Sequence, residues 1–562
     1  MSPSDLEELS CYPRVLQKLL RVRGVTNKRD AEIFLTQNGS LYEPLNPARG
    51  IKNMSKAVRM ILDAVDRGEH IAVYGDYDVD GITASCILVQ LLRKLGANDP
   101  VSYIPDRFEE GYGLNKDALG HLRESGIGLV VTVDCGIRST EEADHARNLG
   151  LKLIISDHHE PGDVIPAADA VICVKQPGDN YPEKNLAGVG VAYKIAEAIL
   201  EVRPTEGIEA RDWVDIAAIG TIADIVPMTG ENRALVKEGI RKLRNHPRVP
   251  IQALAEVGSF RTGEINTQTV GFAIAPRLNA PGRLDSANLS FELLTCENLS
   301  EARTLAGRIN EKNTERKNLA QDIQKKAAEE VSPDNVPAII CCRDASFNMG
   351  VVGLGAARLS EQFYRPTVIG SMGETETRAS CRSIDEFSMI EALDELNEAN
   401  PGLMKKYGGH WKAAGLTVEN DKWDEFVTCL SAIAEEKLKG LTLTPMKKYD
   451  MELPIDYVSL DLIDQLNRLE PLGEGNPEPM FVFRNLKVQS ARKIGKDGTH
   501  LKLAFAAPDG RLIDGICFGQ ARWCDWLNKN PQVDVLCRLD KNTYRNETKP
   551  QLQIVDMKVP EM

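Results

Sequence analysis

The sequence predicts a multidomain α/β protein: a parallel-sheet domain, a long connector helix, a second α/β domain and a C-terminal β-barrel. Three observations predict it. Short, continuous apolar runs alternate with helical patterns between about residues 54 and 156. Strands of that kind are buried on both faces and belong to a parallel sheet covered by helices. The stretch 299–331 has no Gly or Pro after Gly307 and is dense in charge, as expected of a helix that bridges two domains. From residue 481 on, short β patterns are separated by KDG, PDG and GQ turns, the spacing of a small barrel.

Residues 1–48 read as a helical lead-in, within which VTNKRDAEIFL (25–35) has the look of a capped amphipathic segment. MSKAVRMILDAVDRG (54–68) is a helix pattern with Gly68 as its C-cap. Strands are expected at 71–75, 101–104, 129–133 and 151–156, with helices at 83–95 and 140–149. In the connector helix, apolar residues recur at Leu305, Ile309, Leu319 and Ile323, and its length comes to roughly 45 Å. Runs at 337–342 and 367–370 look like strands of the second α/β unit. The expected domain limits are 1–48, 49–296, 297–331, 332–443 and 444–562.

A chain of 562 residues has room for three or four domains at ~150 residues each. With 42% hydrophobic and 27% charged residues it is an ordinary globular composition, which excludes a disordered chain. No stretch approaches the ~18 apolar residues of a membrane helix, so no membrane role is expected. The N-terminal residues lack a basic region followed by an apolar one, so no secretion signal is expected either. Twelve scattered Cys without a CxxC pair point to a reducing, cytoplasmic compartment and away from a zinc or disulfide framework. The net charge of −14 gives no hint of nucleic-acid binding but says little about a single groove.

The chemistry is concentrated where three predicted strands end. IAVYG runs into Asp76, Asp78 and Asp80; LVVTV runs into Asp134; LKLIIS runs into Asp157, His158 and His159. Ligands of open parallel sheets bind beyond the carboxyl ends of the strands, so these groups are expected in one crevice. In extended backbone Asp76, Asp78 and Asp80 would share a side. Carboxylates so spaced repel one another unless protons or hard divalent cations intervene. A calcium EF-hand is ruled out, because its twelfth position here is Ile87 and a strand pattern precedes the loop. Mixed carboxylate and imidazole ligands suit manganese, with magnesium as the alternative. Two ions bridged by a carboxylate would favour hydrolysis of a phosphoester or phosphoanhydride.

These motifs lie in order with others: GDYDVDGITAS (75–85), IPDRFEEGYGL (104–114), VTVDCGI (131–137), LAGVGVAYK (186–194) and IGTIADIVP (219–227). PRLNAPGR (276–283), CRSI (381–384), GGHWKAAG (408–415) and LGEGNPEP (472–479) follow. Together they resemble the DHH phosphoesterases, and within them the bacterial RecJ-type single-strand-specific exonucleases, over nearly the whole chain. The resemblance implies metal ligands at Asp76, Asp78, Asp80, Asp134, His158 and Asp224, with Asp134 bridging two ions, manganese or magnesium. It implies that His159 lies near the scissile phosphate and that Asp157 orients an imidazole. Arg107 and Arg283 would contact nucleic acid, Ser380 and Arg382 would receive the terminal phosphate, and His410 would sit in a DHH-associated domain closing over the cleft. The C-terminal unit resembles an OB-fold, with Lys493, Lys496, His500, Lys502 and Phe518 as candidate strand contacts.

Two departures stand out. Where relatives read Trp-His-x-Gly-Val, this chain has Phe347, Asn348, Met349, Gly350 and Val351, and Val174 replaces a common Pro. The implied activity is 5′-to-3′ degradation of single-stranded DNA to 5′-mononucleotides in repair and recombination. The implied protein is a nucleoid-associated monomer working with a single-strand-binding protein and a repair helicase. Two rivals are a DHH enzyme acting on oligoribonucleotides, cyclic dinucleotides or pyrophosphate, and a non-catalytic binding scaffold. The extra barrel speaks against the first and the complete ligand set against the second.

Overall fold

The computed structural model describes residues 8–36, 46–107, 110–111, 113–332, 334–545 and 547–560. Parts of the lead-in, and Phe108, Glu109 and Tyr112 of the 104–114 motif, fall outside them.

Strands β1 (Ile71–Tyr74), β2 (Val101–Tyr103), β3 (Leu129–Thr132), β4 (Lys152–Ser156) and β5 (Ala170–Ile172) form a parallel sheet in the order β2-β1-β3-β4-β5. β1 and β3 are buried throughout, which is why they read as unbroken apolar runs. Helices Met54–Asp66, Val79–Lys94 and Gly188–Val202 cover one face; helices Lys116–Glu124 and Thr140–Asn148 pack with the core of the other.

One expectation is corrected here. The helix after β1 begins at Val79, not near residue 83, because Asp78 caps it: its carboxylate accepts the N–H groups of Asp80 (2.9 Å) and Gly81 (3.2 Å). An Asp side chain serving the orphan donors of a first turn is a strong start signal. The Asp triplet is therefore not an extended run with one shared side.

The connector helix spans Leu299–Glu329. Its first half packs into the core of the sheet domain through Ala302, Leu305, Ala306 and Ile309. Its second half packs into another core through Ala320, Ile323 and Ala327. That second unit carries β6 (Ile340–Asp344), β7 (Thr367–Met372), β8 (Glu376–Arg382), β9 (Lys406–Gly409) and β10 (Ala413–Glu419), ordered β6-β7-β8-β10-β9. The β6 strand starts three residues beyond the expected position, and only its pairing with β7 is parallel.

The barrel comprises β11 (Met451–Glu452), β12 (Phe481–Ile494), β13 (His500–Ala506), β14 (Leu512–Cys517), β15 (Gln532–Tyr544) and β16 (Glu547–Lys558). Pairing of β12 with β15 closes it, so among the described residues its long strands each have a neighbour on both sides. The lead-in helices Arg14–Val22 and Lys28–Leu35 share its core: Leu16, Leu19, Leu20 and Leu35 pack with Phe481, Phe483 and Leu552. Arg23 Nε donates to Asn476 Oδ1 at 2.7 Å. Arg233 of the sheet domain donates to the carbonyls of Phe34, Glu470 and Pro471, joining all three parts. Among the described residues no helix is long and apolar enough to cross a membrane.

Candidate metal centre

The strand ends converge as the topology requires. Asp134 is buried and adopts φ = 63°, a left-handed conformation that a non-glycine residue holds only where its surroundings impose it. His158 Nε2 lies 3.1 Å from Asp134 Oδ1, 3.6 Å from Asp224 Oδ2 and 3.8 Å from Asp80 Oδ2. Three sets of donor atoms gather within 4.8 Å: Asp76, Asp78 and Asp134; Asp80, His158 and Asp224; and Asp134, His158 and His159. The Asp triplet is thus divided, with Asp76 and Asp78 on one side and Asp80 on the other. Asp134 belongs to two of the sets.

Neighbouring backbone fixes this arrangement. Asp80 receives the N–H of Gly188 on Oδ2 and that of Val189 on Oδ1, both at 2.7 Å, so the N-terminus of helix Gly188–Val202 faces a carboxylate. A Cβ on Gly81 would stand 2.5 Å from the backbone N of Asp76, so only glycine fits there. Asp224 ends helix Val214–Ala223, which crosses close to helix Val79–Lys94: a Cβ on Gly220 would meet Thr83 Oγ1 at 2.2 Å. The fit with LAGVGVAYK came from resemblance; the role of Gly188 and Val189 in holding Asp80 had no signal in the sequence.

Electrostatics favour cation binding. Burial, together with Asp78, holds Asp76 well above the usual carboxylate range, and burial with Asp80 does the same to Asp134. Asp80 is pushed up to about 7 by burial and by Asp224, and Asp224 to about 7 by burial and by Asp78. Burial lowers His158, keeping its ring neutral. Asp76 Oδ1 and His158 Nε2 are buried yet make no hydrogen bond. Carboxylates that resist ionisation, beside a neutral imidazole with an unused nitrogen, fit divalent cations.

Asp157 lies behind the imidazoles. Its Oδ2 accepts the N–H of Ile137 (2.9 Å), and its Oδ1 accepts the N–H of His158 (2.7 Å) and faces His159 Nδ1 at 2.8 Å. Burial opposes a charge on His159, but the hydrogen bond and charge of Asp157 outweigh it and raise its pKa. A cleft of about 680 Å³ opens here, lined by His158, His159, Arg138, Lys175 and, from the second unit, His410.

Arg107 stacks over Tyr77 at 4.9 Å. Arg283 is drawn down to about 10 by burial and by repulsion from Arg107 and Arg316, and it donates to Gly350 O at 3.4 Å. Arg382 Nη1 donates to Ser380 Oγ at 3.1 Å and to Cys381 O at 2.7 Å. Beside this pair, Gly353 in the first turn of helix Val352–Phe363 leaves little room, since its Cβ would sit 3.0 Å from Ser380 Oγ. Arginine, hydroxyl and helix N-terminus together are suited to a phosphate. At the departure from the family pattern, Phe347 joins the second unit's core, and Asn348 Oδ1 accepts the N–H of Gly350 to hold the loop. Gly409 is required by its own hairpin, where φ is 151° and a Cβ would meet Ala413 O at 2.4 Å.

The barrel candidates lie far from this cluster along the chain. Lys502 pairs with Asp514 at 3.0 Å and Lys493 with Asp525 at 3.4 Å. His500 meets the exposed Phe518 edge-on at 5.3 Å.

A parallel sheet whose strand ends gather carboxylates and paired imidazoles defines the metal centre of a DHH protein. The domain matches agree: residues 70–221 match the DHH family N-terminal domain, 335–436 the DHHA1 domain and 449–556 the RecJ OB domain. The chain belongs to the RecJ family. It is 36% identical over 560 residues to the single-stranded-DNA-specific exonuclease RecJ of Bacillus subtilis, covering 99% of this chain and 69% of that protein. Identity to the Escherichia coli exonuclease of the same name is 34% over 561 residues, covering 96% and 95%. The crystal structure of Thermus thermophilus RecJ with Mn2+ matches with a TM-score of 0.84 at 29% identity, covering 100% of this chain and 79% of that one. The Mg2+ complex from the same organism matches at 0.76 and 26%, covering 100% and 78%.

Proposed function

We propose that this chain is a metal-dependent exonuclease that degrades single-stranded DNA from its 5′ end and releases 5′-mononucleotides. Its relatives' names support the substrate class. One observation carries the reaction class: Asp134 is common to a carboxylate set and an imidazole set, the placement of a bridging ligand. Asp76 and Asp78 would serve one ion and Asp80, His158 and Asp224 the other. The chemistry gained with manganese or magnesium bound is a water acidified for attack and positive charge beside the leaving oxygen.

The protein's own groups do the rest. Asp157 holds the His159 ring by Nδ1 and favours its protonated form, in which Nε2–H is left to donate to a phosphate oxygen. Ser380 and Arg382 take the terminal phosphate, with Arg283 and Arg107 beside them. His410 faces the same cleft from the other unit. The domains would run over 49–296 for catalysis, 332–443 for the associated domain and 444–562 for the barrel, with Lys502 among its strand contacts. The same reading makes the protein a nucleoid-associated monomer that meets a single-strand-binding protein and a repair helicase.

The test is a time course in Mn2+ or Mg2+ on single-stranded DNA labelled at either end. The 5′ label should appear first as a mononucleotide, and a duplex should resist. Release of the 3′ label first, or faster cleavage of a dinucleotide than of a long strand, would overturn the reading.

A further inference from the structure

The buried face of the connector helix contains one misfit. Ile309, Asn313, Ala320, Ile323 and Ala327 are all buried, and they recur at intervals of three or four except between 313 and 320. Arg316 fills that gap, a guanidinium in the stripe where the helix passes from one core to the other. Its Nε is buried and makes no hydrogen bond.

Two neighbouring elements add charge at the same level. Arg277 is anchored between helix Ala275–Leu284 and the connector, donating to Ala273 O at 2.7 Å and Asn310 Oδ1 at 3.0 Å. Arg358 lies on helix Val352–Phe363, which approaches the connector so closely that a Cβ on Gly355 would stand 2.4 Å from Ile323 Cγ2. Lys317 adjoins at the rim and is exposed. Elsewhere on the connector, Arg303 pairs with Glu256, Lys312 with Asp285 and Glu315, and Lys326 with Asp344, while Arg308 and Lys325 stand outside the buried stripe. Among the described residues, Arg316, Lys317 and Arg358 have no carboxylate within ion-pair reach. Burial and mutual repulsion lower both Arg316 and Lys317, and Arg316 in turn acts on Arg283. In a chain of net charge −14, cations assembled from three elements without a counter-charge imply an anion from outside.

We propose that Arg277, Arg316, Lys317 and Arg358 form a second phosphate-binding site at the point where the connector helix passes from the first core to the second. This rests on the nuclease reading. The phosphate is either a diester of the bound strand or the monoester of a released nucleotide.

Binding of a fluorescent single strand in metal-free buffer, over a series of salt concentrations, tests the site. For single strands the slope of log affinity against log salt is about 0.7 per contact. R316Q/K317Q should therefore be shallower than wild type by about 1.4, and R358Q by about 0.7. R303Q, at the paired end of the helix, should not change the slope. The released-nucleotide form predicts instead an unchanged slope with at least threefold weaker inhibition by thymidine 5′-monophosphate. No change in either measurement overturns the site. So does a clear fall in the melting temperature of R316Q/K317Q, since a structural arginine would be missed whereas relief of repulsion would not. A wild-type chain that neither binds nor degrades single strands would instead defeat the nuclease reading.

Discussion

Gly188 and Asp134 touch with no side chain between them: a Cβ on Gly188 would stand 2.6 Å from Asp134 Cβ and 2.7 Å from its Oδ1. The same Gly188 gives its N–H to Asp80. One residue without a side chain thus spaces carboxylates from two different strand ends. G188A should fold but displace Asp134. We expect metal affinity and turnover to fall about 100-fold, the usual scale for ångström-sized misplacement. Manganese titration by electron paramagnetic resonance, alongside nuclease assays, measures both, and wild-type values would contradict this account of the site.

Asp157 should act through His159. In D157N the ring keeps an acceptor but loses the negative charge that raises it, so the His159 pKa should fall. NMR titration of the imidazole reads that shift directly. Turnover should drop about 10- to 100-fold, as for other residues that orient a ligand or reacting group. An unchanged His159 titration would show that the 2.8 Å contact carries no electrostatic weight.

The metal-free protein should lose stability as pH rises. Asp80 and Asp224 titrate near 7 in the fold against 3.8 when unperturbed. Between those values the folded state holds more protons than the unfolded one, so stability falls from about pH 4 to 7 and then levels off. Bound manganese removes the need for those protons. The melting-temperature gain from Mn2+ should therefore grow over that interval, and D224N should flatten the metal-free slope. Calorimetry in chelator that found stability rising from pH 5 to 7 in wild type, relative to D224N, would refute the assignment.

Removing the Arg382 guanidinium should weaken the recognition of a strand's terminus more than the metal centre. R382A is expected to lose roughly 10-fold or more of any preference for 5′-phosphorylated over 5′-hydroxyl ends. Manganese affinity should stay within about twofold. Equal loss on both substrates would show that Ser380 and Arg382 do not meet the terminal phosphate.

What could be read in the sequence follows from distance along the chain. β1, β3 and β4 were legible because a strand covered on both faces must be apolar throughout, and the residues just past such strands are where ligands meet. The division of the Asp triplet was not, because it turns on Asp78 capping a helix that periodicity places later. Asp224 follows an apolar helix that gives no sign of chemistry, and only the family resemblance pointed to it. Arg316 reads as one more charge on a charged helix until the buried stripe on either side is known. The union of the lead-in helices with the barrel could not be seen either, since nothing local in VTNKRDAEIFL says what its apolar face will meet.

That union has a consequence for the order in which the protein is made. Arg23 and its acceptor Asn476 are 453 residues apart, roughly 20–90 s of translation at about 5–20 residues per second. Through that interval Leu16, Leu19 and Leu20 have emerged from the ribosome without the β12 and β16 side chains that will enclose them. The helices Arg14–Val22 and Lys28–Leu35 are thus made well before the strands that cover them, and their apolar faces wait on the barrel.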